Sequence, residues 1–162
     1  MSNLRGLEHL ASVGSLYVAG SPALLSLDGL EHLRRVDDLL ELLANAKLGS
    51  LQGLSSLTNI GGDFLVVSQD ESMTTIAFGS ALSSLAGLEH VTHVGGSLSI
   101  QGQLGLTSLG PLLAWPHDTV TGSLRISENA KLSSCDIMQF DAAQDNAAAV
   151  CACSGGTPAV CN

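Results

Sequence analysis

Three histidines recur with the same neighbours, in Leu7-Glu8-His9-Leu10, Leu30-Glu31-His32-Leu33 and Leu88-Glu89-His90-Val91. Imidazoles at one repeat position could share a metal ion if successive copies lie one strand spacing apart, about 5 Å. His9 and His32 meet that condition, but Ser56, in Leu54-Ser55-Ser56-Leu57, interrupts the column before His90. A histidine copied along with its repeat needs no metal to account for it, so no metal site is read here. Glu8, Glu31 and Glu89 form a parallel column and read as a solvated ridge. Asp37-Asp38 with Glu41 offers carboxylates for general acid–base work or cation binding, yet an acidic cluster is ordinarily solvated surface. Nucleophilic catalysis has no foothold: there is no Gly-x-Ser-x-Gly elbow, and no cysteine has an evident histidine partner. The chain therefore reads as a non-enzyme without a cofactor.

The remaining reactive side chains are four cysteines, Cys135, Cys151, Cys153 and Cys161, all within the last 28 residues. Four cysteines allow three pairings. A direct Cys151–Cys153 bond is sterically awkward, which leaves two, and Cys135–Cys151 with Cys153–Cys161 is preferred. Cys-x-Cys-x7-Cys lacks the Cys-x2-Cys spacing of common zinc sites and has no histidine nearby. Disulfides require an oxidising compartment, hence export to the cell surface or beyond. No secretory leader is read, because Met1-Ser2-Asn3 enters directly into a repeat phrase; truncation of a longer exported protein reconciles the two.

The elements that must position these groups are repeats. The leading phrases start at residues 7, 30, 54 and 88, giving steps of 23, 24 and 34. A second landmark follows each: Val13-Gly14-Ser15-Leu16, Val36-Asp37-Asp38-Leu39, Ile60-Gly61-Gly62-Asp63, Val94-Gly95-Gly96-Ser97 and a weaker Val120-Thr121-Gly122-Ser123. Each leads into apolar-x-apolar alternation, the pattern of a short half-buried strand. The inward pairs are Leu16/Val18, Leu40/Leu42, Phe64/Val66, Leu98/Ile100 and Leu124/Ile126. Outward positions form one stripe of Tyr17, Glu41, Leu65, Ser99 and Arg125, and a second of Ala19, Leu43, Val67, Gln101 and Ser127. Leu43, Leu65 and Val67 beside Tyr17 make an aliphatic patch that could mark a partner site. Ser21, Asn45, Gln103 and Asn129 share a turn position, where their side chains can satisfy backbone groups left bare by the bend. Leucine pairs follow (Leu24/Leu27, Leu48/Leu51, Leu82/Leu85, Leu106/Leu109). One such coil cannot bury both of its faces, so only a stacked array is stable. A helical bundle is the alternative for the same leucines, but Gly14, Gly20, Gly61-Gly62, Gly95-Gly96 and Gly102 would break its helices.

These residues resemble leucine-rich repeat proteins, and within them the receptor L-domain type. Its phrase is Leu-x-Gly-Leu-x-x-Leu, then Val/Ile-Gly-Gly-x-Leu-x-Ile, then an asparagine turn; Leu85-Ala86-Gly87-Leu88 through Ile100 matches it best. The resemblance covers about residues 4 to 134. It implies a right-handed coil with one parallel sheet of short strands, frequent display on a cell surface, and partner binding. Asp37-Asp38 in place of the glycine pair, Ser21 and Gln103 in place of asparagine, and the lost leading phrase around Leu113-Ala114-Trp115-Pro116-His117 depart from it.

The fold class expected is an α/β or mainly β repeat solenoid of about five coils over residues 1–134. A helical, disulfide-stapled cap follows over 135–162. In the cap, Asp136 to Val150 reads as a helix with Ile137, Phe140, Ala143 or Ala147, and Val150 on one stripe, and Ser134 as its N-cap. The third unit is longer by about 10 residues, an insert within 67–78 that would emerge as a loop, often on a binding face.

Composition narrows function by exclusion. A net charge of −9 with no basic stripe argues against nucleic acid. No apolar run approaches the ~20 residues that a membrane span needs. What remains is an extracytoplasmic binding module that recognises a protein or glycan partner through the sheet face and the insert. The alternative is a structural or adhesive segment of a longer surface array continuing before Met1.

Overall fold

The computed structural model describes residues 2–68 and 81–144. The chain winds as a parallel β-solenoid of about four turns, closed by one helix. Its principal sheet has five strands in chain order: β2 (Leu16–Ala19), β4 (Leu40–Leu43), β6 (Phe64–Val67), β8 (Leu98–Gln101) and β9 (Leu124–Ser127). All pair in parallel, and the register aligns Leu16, Leu40, Phe64, Leu98 and Leu124. The expectation of one sheet needs correction. A second parallel ladder, built from two-residue strands, runs beside the first: β1 (Ser12–Val13), β3 (Arg35–Val36), β5 (Asn59–Ile60) and β7 (His93–Val94). The Val/Ile landmark of each repeat is thus itself a strand. Its small and acidic residues form the corner between the two ladders.

The inward pairs lie on the core side. Leu40, Phe64, Leu98 and Ile100 are fully buried, while Leu16, Leu124 and Ile126 at the ends are partly covered and pack against the same cluster. The leucines of the leading phrases and of the post-strand turns complete this interior: Leu30, Leu33, Leu54, Leu57 and Leu88 have no exposure. Leu7, at the first copy of the same position, is 42% exposed because no coil covers it.

Close stacking explains the glycines at two corners. Gly29 has φ +112°, and a Cβ there would overlap the Leu4 carbonyl of the preceding coil. Gly53 has an ordinary φ, but a Cβ would strike the Leu27 carbonyl. Where the leading phrase lacks its glutamate, the corner becomes a 3₁₀ turn instead, over Gln52–Leu54 and Gly110–Ala114.

The helix α1 spans Ser134–Gln144. It starts two residues before the expected Asp136, and its cap is Ser133 in place of the expected Ser134. The Ser133 hydroxyl accepts from the Asp136 N–H (3.1 Å) and donates to the Asp136 carboxylate, an N-cap contact in which cap and first-turn acid are tied to each other. Phe140 is fully buried, as expected, and meets Trp115 edge to face with centroids 5.8 Å apart. Trp115 in turn donates its indole N–H to the Leu88 carbonyl at 2.6 Å. Gln144, also buried, accepts from the Val120 N–H at 3.2 Å, so the helix closes backbone groups of the last coil as well as its apolar end. The expected helical positions Ala147 and Val150, the cysteines Cys151, Cys153 and Cys161, and all of the 67–78 insert except Val67 and Ser68 lie outside the described residues.

Candidate functional site

Strand register decides which outward side chains become neighbours. Tyr17, Glu41, Leu65, Ser99 and Arg125 align as one column across the principal sheet, and Ala19, Leu43, Val67, Gln101 and Ser127 as the next. Parallel pairing without slippage turns a repeat position into a surface stripe. The two columns differ in character along their length. Tyr17 is 59% exposed, and Arg125 is exposed at the other end. Glu41, Leu43, Leu65 and Val67 are half-buried between them. Ser99 is buried at 7% exposure, and its hydroxyl accepts from the Gln101 side-chain amide. Ser99 therefore holds Gln101 in place and offers little surface itself. The Ser127 hydroxyl is buried without a partner among the described residues.

Behind the second column, the turn amides do what their repeat position implied. Asn45 donates to the Val18 carbonyl (2.8 Å) and accepts from the Ser21 N–H (3.1 Å), both in the coil before it. Asn129 repeats this three coils later, donating to Ile100 and accepting from the Gln103 N–H at 2.9 Å in each case. Gln103 reaches the Val66 carbonyl at 3.2 Å. Each amide bridges two coils at the end of a strand, so the rim of the stripe is rigid. A recess of about 10 Å³ lies beside this rim, lined by Leu42, Asn45, Val66, Ser68, Leu82 and Gln103. It has room for about one water and none for an organic ligand.

The groups that could do chemistry are not brought together. His9, His32 and His90 are exposed. Asp37 pairs with Arg35, and Asp38 accepts from the Ser15 hydroxyl at 3.3 Å, so these two carboxylates have separate partners. Glu41 belongs to the sheet column. Among the described residues, no three His, Cys, Asp or Glu side chains form a group able to hold a metal ion.

Glu8, Glu31 and Glu89 are exposed, as a solvated ridge requires, and each carboxylate also accepts the backbone N–H of the glycine two residues earlier. Gly6, Gly29 and Gly87 donate at 2.8–2.9 Å. The Gly6 N–H, and after it the backbone N–H of Glu8 itself, hold the Glu8 carboxyl below its ordinary value. The spacing Gly-x-Glu, repeated three times, was the available signal. It was missed because an exposed acid at a repeat position also fits plain solvation.

No helix among the described residues is long and apolar enough to cross a membrane. No family model, curated protein or solved structure matches this chain.

Proposed function

We propose that the chain is a leucine-rich repeat array of the receptor L-domain type, right-handed in its winding, and that it acts without catalysis as an extracytoplasmic binding module. The partner is a protein or glycan, met on the principal sheet by Tyr17, Glu41, Leu43, Leu65, Val67 and Arg125, with the 67–78 insert at its border. The observation that carries this reading is the register: two unbroken columns place an aromatic, an aliphatic patch, an acid and a base on one rigid ribbon. A preformed surface of this kind loses little conformational entropy on binding. The repeat phrase around Leu85–Ile100 supports the family reading, and the asparagine turns are of the kind it implies.

Export rests on the cysteines. The clustering of all four cysteines within the last 28 residues, beginning with Cys135 in α1, is what supports a stapled cap. The pairing proposed is Cys135–Cys151 with Cys153–Cys161. Thiol titration of the native protein under non-reducing conditions is expected to find none free. Four free thiols would reverse the placement outside the cytoplasm.

The binding test is a double substitution, Tyr17→Asp with Leu65→Glu, compared with the unaltered chain on a glycan array and in pull-down from native extract. Partners retained by the parent chain are expected to be lost from the variant, with circular dichroism unchanged. Identical partner profiles with intact folding would remove the sheet face from the proposal.

A further inference from the structure

The principal sheet presents ten outward side chains in two columns, and only Glu41 and Arg125 among them are charged. Both stand in the same column, with Leu65 and Ser99 between them. Neither has an ion-pair partner among the described residues, where Arg35–Asp37 is the one salt bridge. Three strand spacings separate the Glu41 and Arg125 backbones by about 14 Å, and no ion pair joins the two.

Glu41 is half-buried, so its carboxylate has already given up part of its water. A partner that covers it removes the rest, and an unpaired charge taken out of water costs more than apolar contact returns. The occupant of this ribbon must therefore bring a cation to Glu41 and an anion to Arg125. Beside Leu65, which is also half-buried, it must bring apolar surface. A neutral glycan carries neither charge, and a uronic or sulfated one only the second. Polypeptide is the class that supplies all three. Size selects a segment over a folded surface. Five strands of four residues span roughly 24 by 13 Å, about 300 Å². That is well below the ~800 Å² per partner of a stable protein–protein interface, so a second copy of this chain would find too little area on the ribbon. An extended segment of about six or seven residues, at ~3.3 Å each, matches its length.

We infer that the ribbon takes an extended polypeptide segment laid across the strands, with a basic side chain at Glu41, an apolar one beside Leu65 and an acidic one at Arg125. Alternate side chains of an extended chain share a face, and ~14 Å is about four residues of its rise. The base and the acid therefore stand four positions apart in the segment, in either order, with the apolar residue midway. Tyr17, 59% exposed and one strand beyond Glu41, meets the residue outside the base. The two charges fix where the segment sits along the column, which the aliphatic patch alone would leave free to slide. This inference rests on the sheet-face binding proposed above and narrows its partner to a peptide segment of one charge pattern.

The test selects a phage-displayed library of random nonapeptides against the full chain, against Glu41→Lys, against Arg125→Glu and against the double variant Tyr17→Asp with Leu65→Glu. Peptides from the unaltered chain are expected to carry Lys or Arg and Asp or Glu four positions apart, and to bind either single variant at least ~10-fold more weakly. Selection on Glu41→Lys should instead enrich acids at both positions, and selection on Arg125→Glu bases at both. A reversed preference requires a folded variant, so misfolding cannot imitate it. Peptides that lose binding on the double variant, yet show no such pair or ignore the charge reversals, would overturn this inference and leave the sheet face standing as a site. A library without binders would also overturn it; glycans held by the unaltered chain but lost from the double variant would then mark the sheet face as a glycan site. Peptides that bind the double variant as well as the unaltered chain would remove the sheet-face proposal itself, and this inference with it.

Discussion

At the scale of single residues, the Glu31 carboxylate shows how little of this protein is mere surface. It holds the N–H of Gly29, a buried glycine turned to positive φ, and so replaces the hydrogen bond that the corner removes from the backbone. Glu31→Ala is expected to destabilise by about 1 kcal/mol, the usual loss for a capping acceptor, as measured by urea unfolding. Glu8 makes the same contact at the open end, and there the pH dependence follows from its sign. Its folded carboxyl titrates below the unfolded one, because the Gly6 N–H favours the charged form. The folded state thus binds fewer protons, and the contribution is complete above the unfolded carboxylate range and is lost as pH falls through the lower folded value. A Glu8 carboxyl titrating by NMR at or above 4.5, its ordinary value, would contradict this. Asn45 is the more costly residue to remove, because it is buried and joins two coils. Asn45→Ala leaves the Ser21 N–H and the Val18 carbonyl without their partner, and a loss of roughly 2–3 kcal/mol is expected in the same unfolding assay.

At the scale of elements, two devices decide whether coils can stack and where stacking stops. The first is the glycine corner. Gly29→Ala combines an unfavourable φ with overlap on the Leu4 carbonyl, so a loss above about 2 kcal/mol is expected. The second is α1. Phe140 fills the end of the core against Trp115, and Phe140→Ala should cost about 3–5 kcal/mol. The only tryptophan reports on it directly. Its emission should shift to longer wavelength as the cap loosens, before strand ellipticity is lost. The strands themselves were legible from alternation, because each strand of the principal ladder has a period of two and follows the same landmark in its repeat. The second ladder was not. Two residues such as Arg35-Val36 are too short to show any period, and only the neighbouring coil's backbone makes them a strand.

At the scale of the molecule, stability is distributed along one axis. Each coil touches its neighbours and little else, so protection against exchange should follow position in the stack. The amides of β4, β6 and β8, covered on both sides, are expected to exchange slowest, and those of β2 and β9, each paired on one side, to exchange fastest within the principal sheet. Uniform protection across all five strands would mean that the array opens only as a whole.

The interior of this protein follows from its sequence. The recurrence of leucine at fixed places, the glycine corners and the inward pairs of each strand are local patterns, and burial had only one consistent way to use them. The turn amides were legible for the same reason, since Asn45, Gln103 and Asn129 at one bend position each donate to the equivalent strand carbonyl of the coil before. Register, capping and exposure were decided by the fold. Whether Glu31 caps its corner as well as lining the ridge, whether Ser99 faces a partner or braces Gln101, and whether Ser133 or Ser134 starts the helix all depend on where the next coil's backbone lies. That position is set by many coils packing together, and no single repeat contains it.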